Sequence, residues 1–414
     1  MGEPLTASRV ASGPWSGSPG RPRLDRVVLV MLAALALPTA AQANTGTPLM
    51  WAGFAHLTFG NLLIGLLEAA LLIRLFRMDP ARRPAVLLVL GNYVSAWVGG
   101  LFLRGAIVRS LPMDLSNAWS WQWFMVAVTY LLTLVLEYPF VVMALPRLPG
   151  RLRAAAWGSL VIQTASYALL FGWYWMASGK SLYTAMDIVE PTAIALPEGV
   201  AVYSIGAADG HVYRMDLPGL DRRRVVDLGS TGRMDRLYVC PSATAEGRWD
   251  LMARLEGKDR SRARDVVVVA GVAAEAAPSW QSLLARPPRK EVGTWGYDGP
   301  AARLGRAKDS PWKFRAGFWA TEGLWGEHTG TGAIVHLAIE TPFTAWMVRN
   351  ATHLPGDAVL FQLGRDQICV LDPVRRQVAL LARGRGPTAV MAEAAPPSPP
   401  ASAAAAEPPR GEPE

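Results

Sequence analysis

Histidine and cysteine are scarce in this chain: five of its 414 residues are histidine and two are cysteine. His56, His211, His328, His336 and His353 form no HExxH pair, no repeated ligand spacing and no triad neighbourhood. Metal-dependent hydrolysis and Ser/His/Asp chemistry therefore lack support, and no catalytic residue, metal or cofactor is assigned. A phosphate-cradling glycine loop is also missing; the TGTG turn at 329–332 is a far weaker signal. Cys240 and Cys369 sit in apolar, strand-like patterns without metal-ligand spacing. In an exported domain, one disulfide or two buried free thiols are both compatible with them.

Acidic residues are short in particular places. The turn holding Arg147, Arg151 and Arg153 carries no acid, and Arg74, Arg77, Arg82 and Arg83 face only Asp79. These arginines contribute much of the formal charge of +8. Their position between apolar runs points to membrane lipid as the partner, and no nucleic-acid patch is predicted.

Long hydrophobic runs are what the chain has in plenty. Four of them, 51–76, 84–103, 121–145 and 154–177, can each cross a hydrocarbon layer of ~30 Å. Backbone groups in lipid must bond within their own segment, so all four are predicted as helices. The arginine-rich first and third turns belong in the cytoplasm; the second turn has Arg104 and Arg109 but also Asp114. Both ends of the bundle then lie outside. Trp51, Trp119, Trp121, Trp123, Trp173 and Trp175 fall at the outer helix ends, where an aromatic belt is expected. Ahead of the bundle, Arg21, Arg23 and Arg26 precede an apolar run and the small residues Ala41 and Ala43. Residues 1–43 thus read as a disordered start and a secretory signal peptide, with an uncleaved short anchor as the alternative.

Polar residues recur inside the spans. Glu68 lies 24 positions before Asn92, with Ser95 three later; Glu137 lies 26 before Gln163, with Ser166 three later. Asn61 and Tyr130 each precede an acid by seven, the spacing of one helix face. At ~1.5 Å per residue the four deep side chains share a depth of roughly 13–15 Å from the cytoplasmic ends. A duplicated helical hairpin about an axis along the membrane normal explains this, with chance alignment as its rival. A charge there costs at least ~2.5 kcal/mol. The cluster Glu68, Glu137, Asn61, Asn92, Tyr130, Gln163 and Ser166 reads first as interhelical contacts worth ~0.6 kcal/mol each. Its second reading is a shared ion or proton site.

Beyond residue 178 the pattern changes to short strand-like runs broken by Gly, Pro and Asp, which predicts an all-β domain over 185–392. The segment beginning Leu196-Pro197-Glu198-Gly199 matches the one beginning Leu354-Pro355-Gly356-Asp357. Each continues as strand, turn, strand ending in Asp, turn, strand, as part of a propeller blade does. A propeller-like domain is predicted, with a sandwich as the alternative. Within it Trp295, Tyr297, Trp312, Phe314, Trp319 and Trp325 are either an aromatic ligand surface, for instance for glycan rings, or the domain's own core. Residues 393–414, rich in Ala and Pro, read as a disordered tail.

The chain is thus expected to be a multi-pass protein of a bacterial inner membrane, and not an enzyme. Its four-helix bundle would anchor an extracytoplasmic β domain that binds a protein or cell-envelope ligand. The alternative is a bundle that moves or senses protons or ions through Glu68 and Glu137.

Overall fold

A computed structural model describes residues 46–79, 82–100, 110–147, 149–255, 264–272, 302–304, 307 and 309–391. The expected signal peptide and tail lie outside the described residues, as do Arg104, Arg109, Trp295 and Tyr297. Helix α1 spans Pro48–Leu75, α2 Arg82–Val98, α3 Ala118–Ala144 and α4 Arg151–Ala177. Three of these, α1, α3 and α4, are long and apolar enough to cross a membrane. The described part of α2 has 17 residues.

Local chemistry sets the helix ends. Thr47 caps α1 by accepting the Met50 N–H at 3.2 Å, and Pro48 follows in the first turn, where its missing N–H costs nothing. At the other end of the bundle, Arg151 at the start of α4 donates to the Val142 carbonyl in the last turn of α3. An arginine read from sequence as a topology signal therefore also closes a hairpin. A π-turn over His56–Gly60 interrupts α1.

Glycines let the helices approach. A Cβ on Gly65 of α1 would lie 2.5 Å from the Val89 Cα of α2. One on Gly91 of α2 would meet the Phe140 ring of α3 at 3.2 Å, and one on Gly158 of α4 would meet Leu72 of α1 at 3.0 Å. With the α3–α4 bonds described below, these contacts close a ring of four helices. Outward, the helices carry exposed Leu62, Leu66, Leu90, Leu131, Val135, Leu160 and Phe171. Among the described residues the β region exposes only Val225, Val267 and Ile334 on its strands and Val374 in a turn as large apolar side chains. Apolar surface that water penalises is thus concentrated on the bundle.

The β region begins after a short helix, α5 (Ser181–Thr184). Among the described residues its main sheet has nine strands: β1 (Asp187–Ile188), β2 (Val200–Gly206), β3 (Val212–Leu217), β4 (Asp221–Val226), β8 (Ala302–Arg303), β14 (Val348–His353), β15 (Val359–Leu363), β16 (Gln367–Asp372) and β17 (Gln377–Met391). The order is β4-β3-β2-β17-β16-β15-β14-β8, with β1 also beside β17. Smaller sheets are built by β5 (Arg236–Pro241), β6 (Trp249–Leu255) and β7 (Arg264–Val272), and by β9 (Trp312–Ala316), β10 (Leu324–His328) and β11 (Ile334–Leu337). β12 (Ile339–Glu340) pairs with β13 (Ala345–Trp346).

Successive side chains of a strand point to opposite faces. Phe361, Leu363, Cys369 and Leu371 accordingly enter one core, and Leu360, Ile368 and Val370 another. Burial on both faces explains why these central strands read as unbroken apolar runs.

The propeller-like expectation is corrected here. Both matched segments do fold as three-stranded meanders, β2–β4 and β15–β17, but they lie side by side in one sheet. β17 is long enough to pair with β16 over its first part and with β2 over its second, with a register shift between Arg385 and Thr388. Gly386, at φ 50°, allows this passage, because a Cβ there would stand 2.4 Å from the Arg236 Cα of β5. The described strands close neither a propeller nor a barrel.

Bundle and sheets belong to one compact unit that begins at Thr47. Thr47 donates to Glu340 Oε1 at 2.7 Å, and Glu340 N–H donates to the Gly179 carbonyl at 2.6 Å. Between α2 and α3 the chain inserts Leu115, fully buried, into the core of Trp312, Leu337 and Phe361. The Leu115 N–H donates to Gln367 Oε1 at 2.6 Å, and its carbonyl accepts from the Tyr183 hydroxyl at 2.9 Å. The starts of α1 and α3 and the end of α4 therefore all meet the β region, so the helices alternate in direction.

Candidate functional site

Two sites are built where the helices meet. The deeper one contains the polar residues that the sequence spacing singled out. Glu68 and Glu137 are each 1% exposed. Glu68 Oε2 accepts from Asn92 Nδ2 at 2.6 Å, and Glu137 Oε2 accepts from Gln163 Nε2 at 2.5 Å. Each acid is thus bonded to the amide of its own hairpin. The Ser95 hydroxyl joins the hairpins by donating to Glu137 Oε1 at 2.5 Å. In the matching position Ser166 lies against Gln163 and faces Glu68. Asn61 is buried one face-repeat above Glu68. Glu68 Oε1 and Asn61 Nδ2 make no well-formed hydrogen bond among the described residues, with Ser166 facing the first and His56 the second.

Tyr130 is the exception. It stands apart from the carboxylates and bonds the Thr164 hydroxyl at 2.9 Å, with its ring edge on Tyr167 at 5.0 Å. Phenol length, which a count along the helix does not register, carries it outward. Thr133 takes the place nearer the acids, at 2.8 Å from the Tyr167 hydroxyl.

The second site was not anticipated. A cavity of about 240 Å³ opens between α3 and α4 under the turn joining β12 to β13. Trp119, Trp123, Phe171 and Trp175 form its aromatic wall, and Pro342 and Phe343 its roof. Trp123 stacks on Phe171 at 5.5 Å, and Phe171 on Trp175 at 5.5 Å. Roof and wall are joined by the Thr341 hydroxyl donating to Gln122 Oε1 at 2.7 Å. His56, brought to the cavity by the π-turn, is 2.7 Å from the Tyr174 hydroxyl. Lys180 lies over the Trp175 ring at 4.6 Å and donates to the Trp175 carbonyl at 2.8 Å. Partial burial lowers its pKa below the usual lysine value. The sequence signal was the run of tryptophans, which the aromatic-belt reading absorbed as lipid anchors.

The other sequence candidates part company. Trp312 and Phe314 do alternate with Lys313 and Arg315 on β9, but both rings are buried in the core, stacked at 5.9 Å, and present no surface. Trp325 stays half-buried under the Arg315 guanidinium at 4.4 Å, and Trp319 packs on Phe318 at 4.6 Å. The large flat rings were recruited for packing, as most such rings are. Cys240 and Cys369 are free thiols rather than a disulfide. Cys369 is fully buried in the main sheet while Cys240 is half-buried on β5 of another sheet. Burial pushes both thiols above the usual cysteine range, which makes them poor nucleophiles.

No family model matches the chain, and no curated protein or solved structure shows significant similarity to it. The functional reading therefore rests on these two sites alone.

Proposed function

We propose that the chain is a multi-pass protein of a bacterial inner membrane, with α2 as a fourth span and the β domain outside the cytoplasm. In this reading the cavity holds one hydrocarbon chain of an anionic envelope lipid. The fourth span is supported by the outward face of α2, where Val86, Leu90, Val94 and Trp97 are exposed. Leaving such side chains in water costs roughly 25 cal/mol per Å². The orientation is supported by the arginines at the bundle end far from the sheets.

The observation that carries the ligand reading is the shared construction of the cavity, with helix rings as walls and Thr341, Pro342 and Phe343 as a roof. Pockets that enclose a drug-sized molecule run to roughly 300–1,000 Å³. A cavity of about 240 Å³ suits one chain end, not a whole lipid. Lys180 at the rim is the group for an anionic head. A bound chain would fasten the roof segment to the helices and so report membrane composition to the β domain.

The test uses the full chain in phosphatidylcholine vesicles doped with brominated phosphatidylglycerol, which quenches tryptophan on contact. Quenching should saturate at a low fraction of the anionic lipid, and Lys180→Glu should raise the fraction required. Filling the cavity with Val126→Phe should remove the saturable part. Quenching that only follows total bromine in the bilayer would reject the site.

A further inference from the structure

Polar groups run from the cavity down to the two carboxylates. Thr129, Thr133 and Glu137 recur every four residues of α3 and so share a face. Thr129 lines the cavity; Thr133 bonds the hydroxyl of Tyr167, which lines it too; Glu137 lies one turn deeper. On α1 the cavity residue His56 is followed on the way down by buried Asn61 and Glu68. The next turn away from the cavity is different. Leu72, Leu88 and Val141 are all fully buried there, with Ser159 the polar side chain among them. The route is polar on the β-domain side and apolar on the far side.

The titratable side chains on the helices around the carboxylates are His56 on α1, Tyr93 on α2, Tyr130 and Tyr138 on α3, and Tyr167 and Tyr174 on α4. Among the described residues no lysine or arginine is buried at this depth. Two carboxylates in a low-dielectric core without a countercharge cannot both stay ionised. Glu137 accepts a bond on each oxygen, the arrangement of an ionised carboxylate. Glu68 accepts a full bond from Asn92 on one oxygen, while its buried Oε1 has only the Ser166 hydroxyl facing it, a group that can accept as well as donate, so Oε1 is the atom with room for a proton.

We propose that Glu68 and Glu137 form one proton-binding site, filled from the cavity along Thr129, Thr133 and Tyr167 and sealed at the far end by Leu72, Leu88 and Val141. Access from one side only makes it a sensor of protons on the β-domain side, not a conducting path. The site does not depend on which molecule occupies the cavity.

Infrared difference spectra of the full chain in lipid nanodiscs, recorded on a step to higher pH, test this directly. One protonated carboxyl band beyond that of Glu340, which Glu340→Gln removes separately, should be lost in the wild type. Glu68→Gln should abolish the band, and Glu137→Gln should shift its midpoint, because the two groups share the proton. Thr133→Val should slow hydrogen–deuterium exchange of the band severalfold without removing it. Tryptophan fluorescence and elution volume check that each variant is folded. If any of these variants fails to fold, the wild-type band and its exchange under a Thr129→Val substitution still decide. Two carboxyl bands that ignore pH would mean plain packing contacts and overturn the proposal. Unchanged exchange when the threonine steps are removed would overturn the one-sided route.

Discussion

Glu340 shows how a single side chain ties the two parts of the molecule together. Its Oε1 accepts from Thr47, its backbone bridges to Gly179, and its carboxylate lies against the Thr321 backbone. Burial is the main cause that raises its pKa above the ordinary 4.5, and the bonds from Thr47 and the Thr321 backbone only partly oppose it. A raised carboxyl favours the folded state in its protonated form. That contribution is complete below the unfolded value and is lost as pH rises through the folded value. Glu340→Gln retains an acceptor for Thr47 and removes the buried charge. It should therefore stabilise the protein by about 1 kcal/mol at alkaline pH. The gain should fade below the ordinary carboxyl range. Thermal unfolding in detergent at about pH 8 and about pH 4 checks it; destabilisation at the higher pH would show that the charged form is the bonded one.

At the scale of elements, the helices were legible in the sequence because one physical rule governs them. A backbone in lipid must be helical, and a helix turns a spacing into a depth. Glu68–Asn92 and Glu137–Gln163 could be placed together from counting alone, and both pairs bond. Strand pairing has no such rule. The two meanders were legible, but their arrangement depends on β17 continuing from β16 to β2, a partner choice made across nearly the whole domain. The cavity was hidden for the same reason, since residues 341–343 reach α3 and α4 only through the tertiary fold. Close helix packing gives the element-scale prediction. Gly65→Ala would place a methyl 2.5 Å from the Val89 backbone, so α1 and α2 must separate. A loss of about 1–3 kcal/mol is expected. Gly172 has open space at the same position, and Gly172→Ala should be neutral or gain up to about 1 kcal/mol. Unfolding in one detergent compares the two; equal stabilities would contradict the close crossing.

For the whole molecule, the junction decides whether the β domain is an independent passenger. A segment cut at residue 185, as the sequence pattern suggested, omits Leu115 and Leu182, both fully buried in the core with Phe361 and Leu337. It also omits Ser181, whose hydroxyl accepts the Ala338 N–H at 2.9 Å. Each missing leucine leaves a vacancy comparable to a large-to-small core substitution, at about 2–5 kcal/mol. Two such losses approach the 5–15 kcal/mol that typically holds a domain together. Residues 185–391 expressed alone should therefore retain β-type circular dichroism but bind a hydrophobic dye and unfold without a sharp transition. The whole chain should unfold cooperatively, and Leu115→Ala within it should destabilise the sheets by about 2–5 kcal/mol although residue 115 precedes them by some seventy positions. A sharp transition for the isolated segment, at the temperature seen in the whole chain, would make the junction a passive contact. Cooperative unfolding that fails on Leu115→Ala would instead make it the route by which events in the bundle reach the β domain.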